Sequence, residues 1–162
     1  MYDLHREIIE TLSATPKTLA GLLRGVDEAQ ARSAVGGGET PDSSGADWSV
    51  IEVLCHLRDG EEISFERMKA MRDQENPAII GFDQDAQARD NKYSEADLAP
   101  ALTEFIRLRA EYVAALSALT PEQWERTGQH NEIGEISIFT HALHRTHHDA
   151  IHCAQIARQL SI

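Results

Sequence analysis

Apolar residues recur at three- and four-residue intervals in four long stretches of the chain. Nowhere do they alternate with polar residues over the length of a strand, so the pattern predicts helices alone. The first stretch, Tyr2 to about Val26, carries Leu4, Ile8, Leu12, Leu19, Leu22, Leu23 and Val26, and Pro16 inside it predicts a kink or an interruption. The second runs from Trp48 to about Gln74. It sets Val50, Leu54, Leu57, Phe65 and Met68 on one face and Glu52, Asp59, Glu62 and Glu66 on another. Asp47 stands in N-cap position before it, and Pro77 lies just past its end. The third opens at Ser94-Glu95-Ala96-Asp97 in the manner of a capping box and runs to about Ala118. The fourth runs from about Ile136 to Leu160.

Three breaks separate these stretches. Gly36 to Gly45 is too rich in Gly, Ser and Pro for regular structure, and Asn76 to Asn91 reads as a long connection. Thr120-Pro121-Glu122-Gln123-Trp124 reads as a cap plus one short turn, and Gly128 to Glu135 as a loop. The expected fold is all-α: a four-helix bundle in one domain, 1–162, with at least one long crossover connection.

Charge narrows the function. The chain has 162 residues, with 15 Lys+Arg against 27 Asp+Glu, a net charge of −12. Binding to nucleic acid or to an anionic membrane needs clustered cations, so neither is expected. No apolar run approaches the ~18 residues of a membrane span. Met1 to Glu7 lacks the basic and apolar regions of a secretory signal. Two cysteines, Cys55 and Cys153, form no disulfide framework and suit a reducing cytoplasm, the expected location.

The eight histidines change the picture, because His141, His144, His147, His148 and His152 fall within twelve residues. At ~100° per residue, His141, His144, His148, His152, Gln155 and Gln159 share one face of the fourth helix, and His147 does not. Solvent faces favour Lys and Glu, which are better helix formers than His. An i,i+4 pair presents two imidazoles to one ion, and both His144/His148 and His148/His152 have that spacing. A two-histidine site needs a third ligand from another helix. His56, on the flank of the second helix with Gly60 leaving space one turn on, is the best candidate.

Trp48-Ser49-Val50-Ile51-Glu52-Val53-Leu54-Cys55-His56-Leu57-Arg58-Asp59-Gly60-Glu61, followed 92 residues after His56 by His148-Asp149-Ala150-Ile151-His152-Cys153-Ala154-Gln155-Ile156, resembles the two signatures of the DinB-like superfamily. This is the bundle family that includes the bacillithiol transferases, not the polymerase that shares the name. The resemblance spans almost the whole chain. It implies a four-helix bundle holding one divalent metal on His56, His148 and His152, with Gln155 fixing the register and leaving His144 outside. It also implies a small-molecule substrate and a homodimer. Characterised relatives include S-transferases for low-molecular-weight thiols and a mycothiol-dependent maleylpyruvate isomerase.

Three neutral imidazoles leave a coordination position open, as in catalytic and not structural sites. Zinc or nickel suits such ligands. A thiol entering the open position would become a thiolate, and a bound water would be acidified. The expected activity is therefore metal-dependent transfer of a low-molecular-weight thiol to an electrophile. The alternatives are a metal-dependent hydrolase, or a metal-binding or stress-response module without turnover. Gln155, Asp149, Glu52 and Asp59 lie close to the ligands along the chain and are candidates for supporting them, although each also fits a plain helix surface. Cys55 and Cys153, each ~100° from its neighbouring ligand, read as small buried residues.

Overall fold

The structure is a computed structural model that describes residues 3–33, 45 and 47–161. The expected Gly36–Gly45 break, except Gly45 itself, lies outside them. Four long helices form the bundle: α1 (Leu4–Leu22), α3 (Val50–Asp73), α5 (Leu98–Ser117) and α7 (Ile138–Gln159). Short helices α2 (Glu28–Ser33), α4 (Gln84–Asp90) and α6 (Pro121–Trp124) lie between them. α1 packs on α5 and α7, and α3 packs on the same two. The bundle helices consecutive in sequence, α1 and α3, therefore sit at opposite corners, as do α5 and α7. That is the crossover connectivity the long breaks predicted.

Several boundaries move. α1 ends at Leu22, and Pro16 does not interrupt it. Asp47 is not the cap of α3. Ser49 is, with Glu52 accepting from its backbone N–H (2.8 Å) and its hydroxyl (2.7 Å). Ser94 does not open the third long helix either: Tyr93–Glu95 is a single 3-10 turn, and α5 begins after Asp97, its first amide donating to the α2 carboxylate of Glu28 (2.7 Å). The connection after α3 contains α4, capped by Asp83.

The expected absence of strands is corrected. A small sheet runs in the order β1 (Ala78–Ile79), β2 (Thr127–His130), β3 (Gly134–Ser137). β1 pairs parallel with β2, and β2–β3 is an antiparallel hairpin that pairs Thr127 with Ser137 and His130 with Gly134. These strands have two to four residues, too few for alternation to register as a pattern. Ser137, the last residue of β3, caps α7: its hydroxyl accepts from the Thr140 amide at 3.1 Å. The hairpin thus delivers the chain into the histidine helix.

The bundle has two apolar cores. Leu19, Ile51, Leu54, Leu57, Phe105 and Ile156 belong to one, and Leu12, Met68, Tyr112, Leu116, Ile138 and Ala142 to the other. On each long helix a polar residue falls between the two: Thr15 on α1, Glu61 on α3, Arg109 on α5, and Arg145 with Asp149 on α7, all buried.

Candidate metal centre

A buried charge must be paired or it costs several kcal/mol, and the layer between the cores satisfies this fully. Arg109 forks onto Glu61, with Nη2 donating to Oε1 at 2.7 Å, and its Nη1 stands 2.7 Å from Asp149 Oδ2. Arg145 Nη2 donates to Glu61 Oε1 at 2.8 Å, and the Thr15 hydroxyl to Asp149 at 3.0 Å. Two cations and two anions cancel inside the bundle. Burial alone would raise the Asp149 carboxyl, but the Arg145 and Arg109 guanidiniums outweigh it and hold that carboxyl well below the carboxylate range. Burial likewise lowers Arg109, and the Glu61 and Asp149 carboxylates more than reverse it.

Pro16 belongs to this layer. Having no N–H, proline leaves the carbonyl four residues back without its helical partner. That carbonyl is Leu12, and Arg109 Nη1 donates to it at 2.9 Å. The helix runs on because a buried guanidinium from α5 fills the missing bond.

One turn further along α7 the three expected histidines meet. His56, His148 and His152 each offer a ring nitrogen, and these lie within 4.8 Å of one another. Ring centroids are 4.9 Å apart for His56–His148, 4.9 Å for His56–His152 and 4.4 Å for His148–His152. His56 and His152 are buried, and His148 is half-buried. Burial first, then the neighbouring imidazoles and Arg145, keeps His56 well below its ordinary pKa. Burial and Arg145 bring His148 down to about 3. His56 and His148 are therefore neutral at pH 7, the form that ligates metal.

The partners of each ring fix its tautomer. Gln155 Nε2 donates to the Gly45 carbonyl (2.9 Å), so its Oε1 is the acceptor facing His152 Nδ1 at 2.8 Å. His152 then carries its proton on Nδ1 and its lone pair on Nε2. Gly45 has φ +68, and a side chain there would collide with the Trp48 ring, which itself lies 5.0 Å from His56. His148 differs. Arg145 Nη1 can only donate, and it faces His148 Nδ1 at 3.1 Å. The His148 proton therefore sits on Nε2, 2.9 Å from His56 Nε2. Ligation through that Nε2 needs the proton on Nδ1, where Asp149 Oδ1, 4.0 Å away, is the acceptor at hand.

Of the residues expected to support the ligands, Gln155 and Asp149 are buried beside them, not on the helix surface. Glu52 spends its carboxylate on the α3 cap. Asp59 spends its own on Arg58 (2.6 Å), the Tyr93 hydroxyl (2.7 Å) and Asn91 (3.0 Å). The space expected at Gly60 is filled: a Cβ there would stand 3.0 Å from Arg145 Nη1, so this glycine admits a guanidinium instead of freeing an imidazole. His144 and His147 are exposed. Cys55 is buried and Cys153 half-buried, and burial pushes each thiol up to about 11. They are inert at neutral pH. Glu61, Arg109 and Arg145 were missed in the sequence. Their signal was a charge at an apolar stripe position: Arg109 follows Phe105 and precedes Tyr112 and Leu116 at helical spacing.

The family model described as the DinB superfamily matches residues 11–156. The chain belongs to the DinB superfamily. Among DinB relatives, "Putative metal-dependent hydrolase YfiT" of Bacillus subtilis is 29% identical over 126 residues, 75% of this chain and 70% of that protein. A protein of the same description from Oceanobacillus iheyensis is 32% identical over 106 residues, 62% of this chain and 60% of its own. The solved structure of YfiT, described as having an unusual four-helix bundle topology, matches with TM-score 0.78 at 25% identity, covering 97% of this chain and 87% of that one. Among the described residues no helix is long and apolar enough to cross a membrane.

Proposed function

We propose that this DinB protein holds one divalent transition metal, zinc or nickel, on His56, His148 and His152 and transfers a low-molecular-weight thiol to an electrophilic substrate. The observation that carries the reading is the convergence of three imidazoles within 4.8 Å with no carboxylate among them. An ion held by such a donor set keeps its full charge and acidifies a thiol or a water bound to it. The chain's own part is to orient and to desolvate. Gln155 fixes the His152 tautomer, Asp149 stands ready for the His148 Nδ1 proton, and Trp48 walls the His56 ring.

The choice of thiol rests on what the nearby carboxylates do. Glu52, Asp59, Glu61 and Asp149 are all committed to caps, hydroxyls or arginines. A hydrolase needs a base to take the second proton of water, whereas a thiol has one proton to lose. A second reading, hydrolysis, is favoured by the names of the relatives. Its base would be the exposed His144, whose ring lies 6.2 Å from His148. A panel of small thiols assayed with a haloarene electrophile, beside a panel of activated esters, separates the two. The thiol reading expects metal-dependent conjugation that survives His144→Ala. Ester cleavage without conjugation, lost in His144→Ala, would replace it.

A further inference from the structure

The hydrogen bonds around the triad do more than orient it, because two of them stand in the way of an ion. Arg145 Nη1 carries only protons, so His148 Nδ1, 3.1 Å from it, must be bare. A proton on that Nδ1 would set one N–H against another. The one proton of the ring is then on Nε2, which lies 2.9 Å from His56 Nε2. His148 donates there and His56 accepts, so the nitrogens of two ligands are spent on each other. His152 differs: Gln155 Oε1 takes its Nδ1 proton, the tautomer that ligation through Nε2 needs.

Arg145 is at the same time part of the salt layer. Its Nη2 donates to Glu61 Oε1 at 2.8 Å and reaches Asp149 Oδ1 at 3.5 Å. The guanidinium lies against the α3 backbone at Gly60, where a Cβ would stand 3.0 Å from Nη1 and 3.2 Å from Nη2. Among the described residues Arg145 Nε is buried with no hydrogen-bond partner, so the two Nη atoms alone hold the side chain by hydrogen bonds. One of them belongs to the charges and the other to the histidines.

We propose that Arg145 is a latch on the metal centre: in the metal-free chain it holds His148 in the tautomer that bonds to His56, and loading requires the His148 proton to pass from Nε2 to Nδ1 and Arg145 Nη1 to let go. The latch rests on the reading of the triad as the metal site. The exchange balances. One N–H breaks at Nε2 and gives its proton to water, one N–H forms at Nδ1 with a proton from water, and the ring stays neutral. His148 is half-buried where His56 and His152 are buried, so it is the ligand that water reaches. The new N–H finds Asp149 Oδ1, 4.0 Å from Nδ1, and Arg145 stays on Glu61 through Nη2. Arg145 is thus a positioning residue that acts through His148. It couples the two buried constellations, because filling the centre breaks a contact of the layer.

The test is nitrogen NMR of the full chain with isotope-labelled histidine, chelator-treated and then zinc-loaded, with the His148 signals assigned by their loss in His148→Gln. The His148 proton is expected on Nε2 without zinc and on Nδ1 with it, while His152 keeps its proton on Nδ1 in both. Arg145→Met should move the His148 proton to Nδ1 in the absence of zinc. It should also tighten zinc binding about tenfold in chelator competition, the worth of one hydrogen bond from a charged donor. A proton on Nδ1 in the metal-free wild-type chain would overturn the latch, and this spectrum decides even if Arg145→Met does not fold. A proton that stays on Nε2 in metal-free Arg145→Met would overturn it too, since tighter zinc binding would then reflect only the lost positive charge. Zinc uptake that leaves the wild-type proton on Nε2 would refute the release of Arg145 while sparing the metal site. A chain that takes up no zinc would defeat the metal reading itself, and the latch with it.

Discussion

The bundle buries two polar constellations a few ångströms apart, and they solve the same problem in opposite ways. Glu61, Arg109, Arg145 and Asp149 remain ionised because each charge meets its opposite at hydrogen-bond distance. His56 and His148 discharge instead, burial outweighing the nearby Asp149 carboxylate and bringing His148 down to about 3. Equal burial thus yields a rigid salt layer in one place and neutral, metal-competent imidazoles in the other. Arg145 joins them, with one nitrogen on Glu61 and another on His148 Nδ1. Burial keeps protons off His56 and His148, and the positive side of the layer adds to it.

The contrast can be broken most severely from the charged side. Glu61→Ala strips Arg109 and Arg145 of their shared partner and should cost about 3–5 kcal/mol in urea unfolding, the cost of an orphaned buried charge. A loss under about 1 kcal/mol would mean that water reaches the layer.

Acid should act on the imidazoles first. An unfolded histidine titrates near ~6.5, while His141 and His148 in the fold lie at about 3. Between those values the unfolded chain binds protons that the folded chain does not. Stability is therefore complete above ~6.5 and falls as pH drops, by up to about 1.4 kcal/mol per pH unit for each ring. Asp149 has a depressed pKa, so its contribution is lost only in stronger acid, below the ordinary carboxylate range near ~3.9. Urea midpoints of metal-free chain at pH 7.5, 6 and 5 should fall steadily, and His141→Phe should flatten the slope by one ring's share. A flat profile across that range would mean that the buried rings are already charged in the fold.

Much of this was legible in the sequence, for identifiable reasons. Long helices carry their period over five or more turns, and i,i+4 histidine spacing is local, so α7 and its histidine face could be read directly, while the family resemblance chose His148/His152 over His144/His148. His56 lies 92 residues away, and it was the family resemblance that tied it to the pair. The salt layer was hidden because its charged members come from three helices, and one charge at an apolar stripe position does not reveal its partners. The small sheet was hidden because strands of two to four residues cannot show a period. Asp47 and Ser49 are both good caps by composition, and only the reach of Glu52 back to Ser49 decides between them.

Two smaller effects sharpen the comparison. Gln155→Leu removes the acceptor that fixes the His152 tautomer without touching a ligand, and should weaken metal affinity about 10–100-fold without abolishing it. Competition with a coloured chelator reads this, and an unchanged affinity would remove Gln155 from the site. Pro16→Ala should change stability least. In an ordinary helix interior that replacement gains roughly 3 kcal/mol. Here the Leu12 carbonyl already has Arg109, so the gain should stay under about 1 kcal/mol. A full gain would show that the Arg109 bond contributes little.

If His56, His148 and His152 hold the ion, metal content after equilibrium dialysis against zinc or nickel at pH 7.5 shows it. About one ion per chain is expected, none in His56→Ala, His148→Ala or His152→Ala, and an undiminished content in His144→Ala and His147→Ala. Loss of the ion in His144→Ala, with retention in His152→Ala, would place the site one turn away and contradict it.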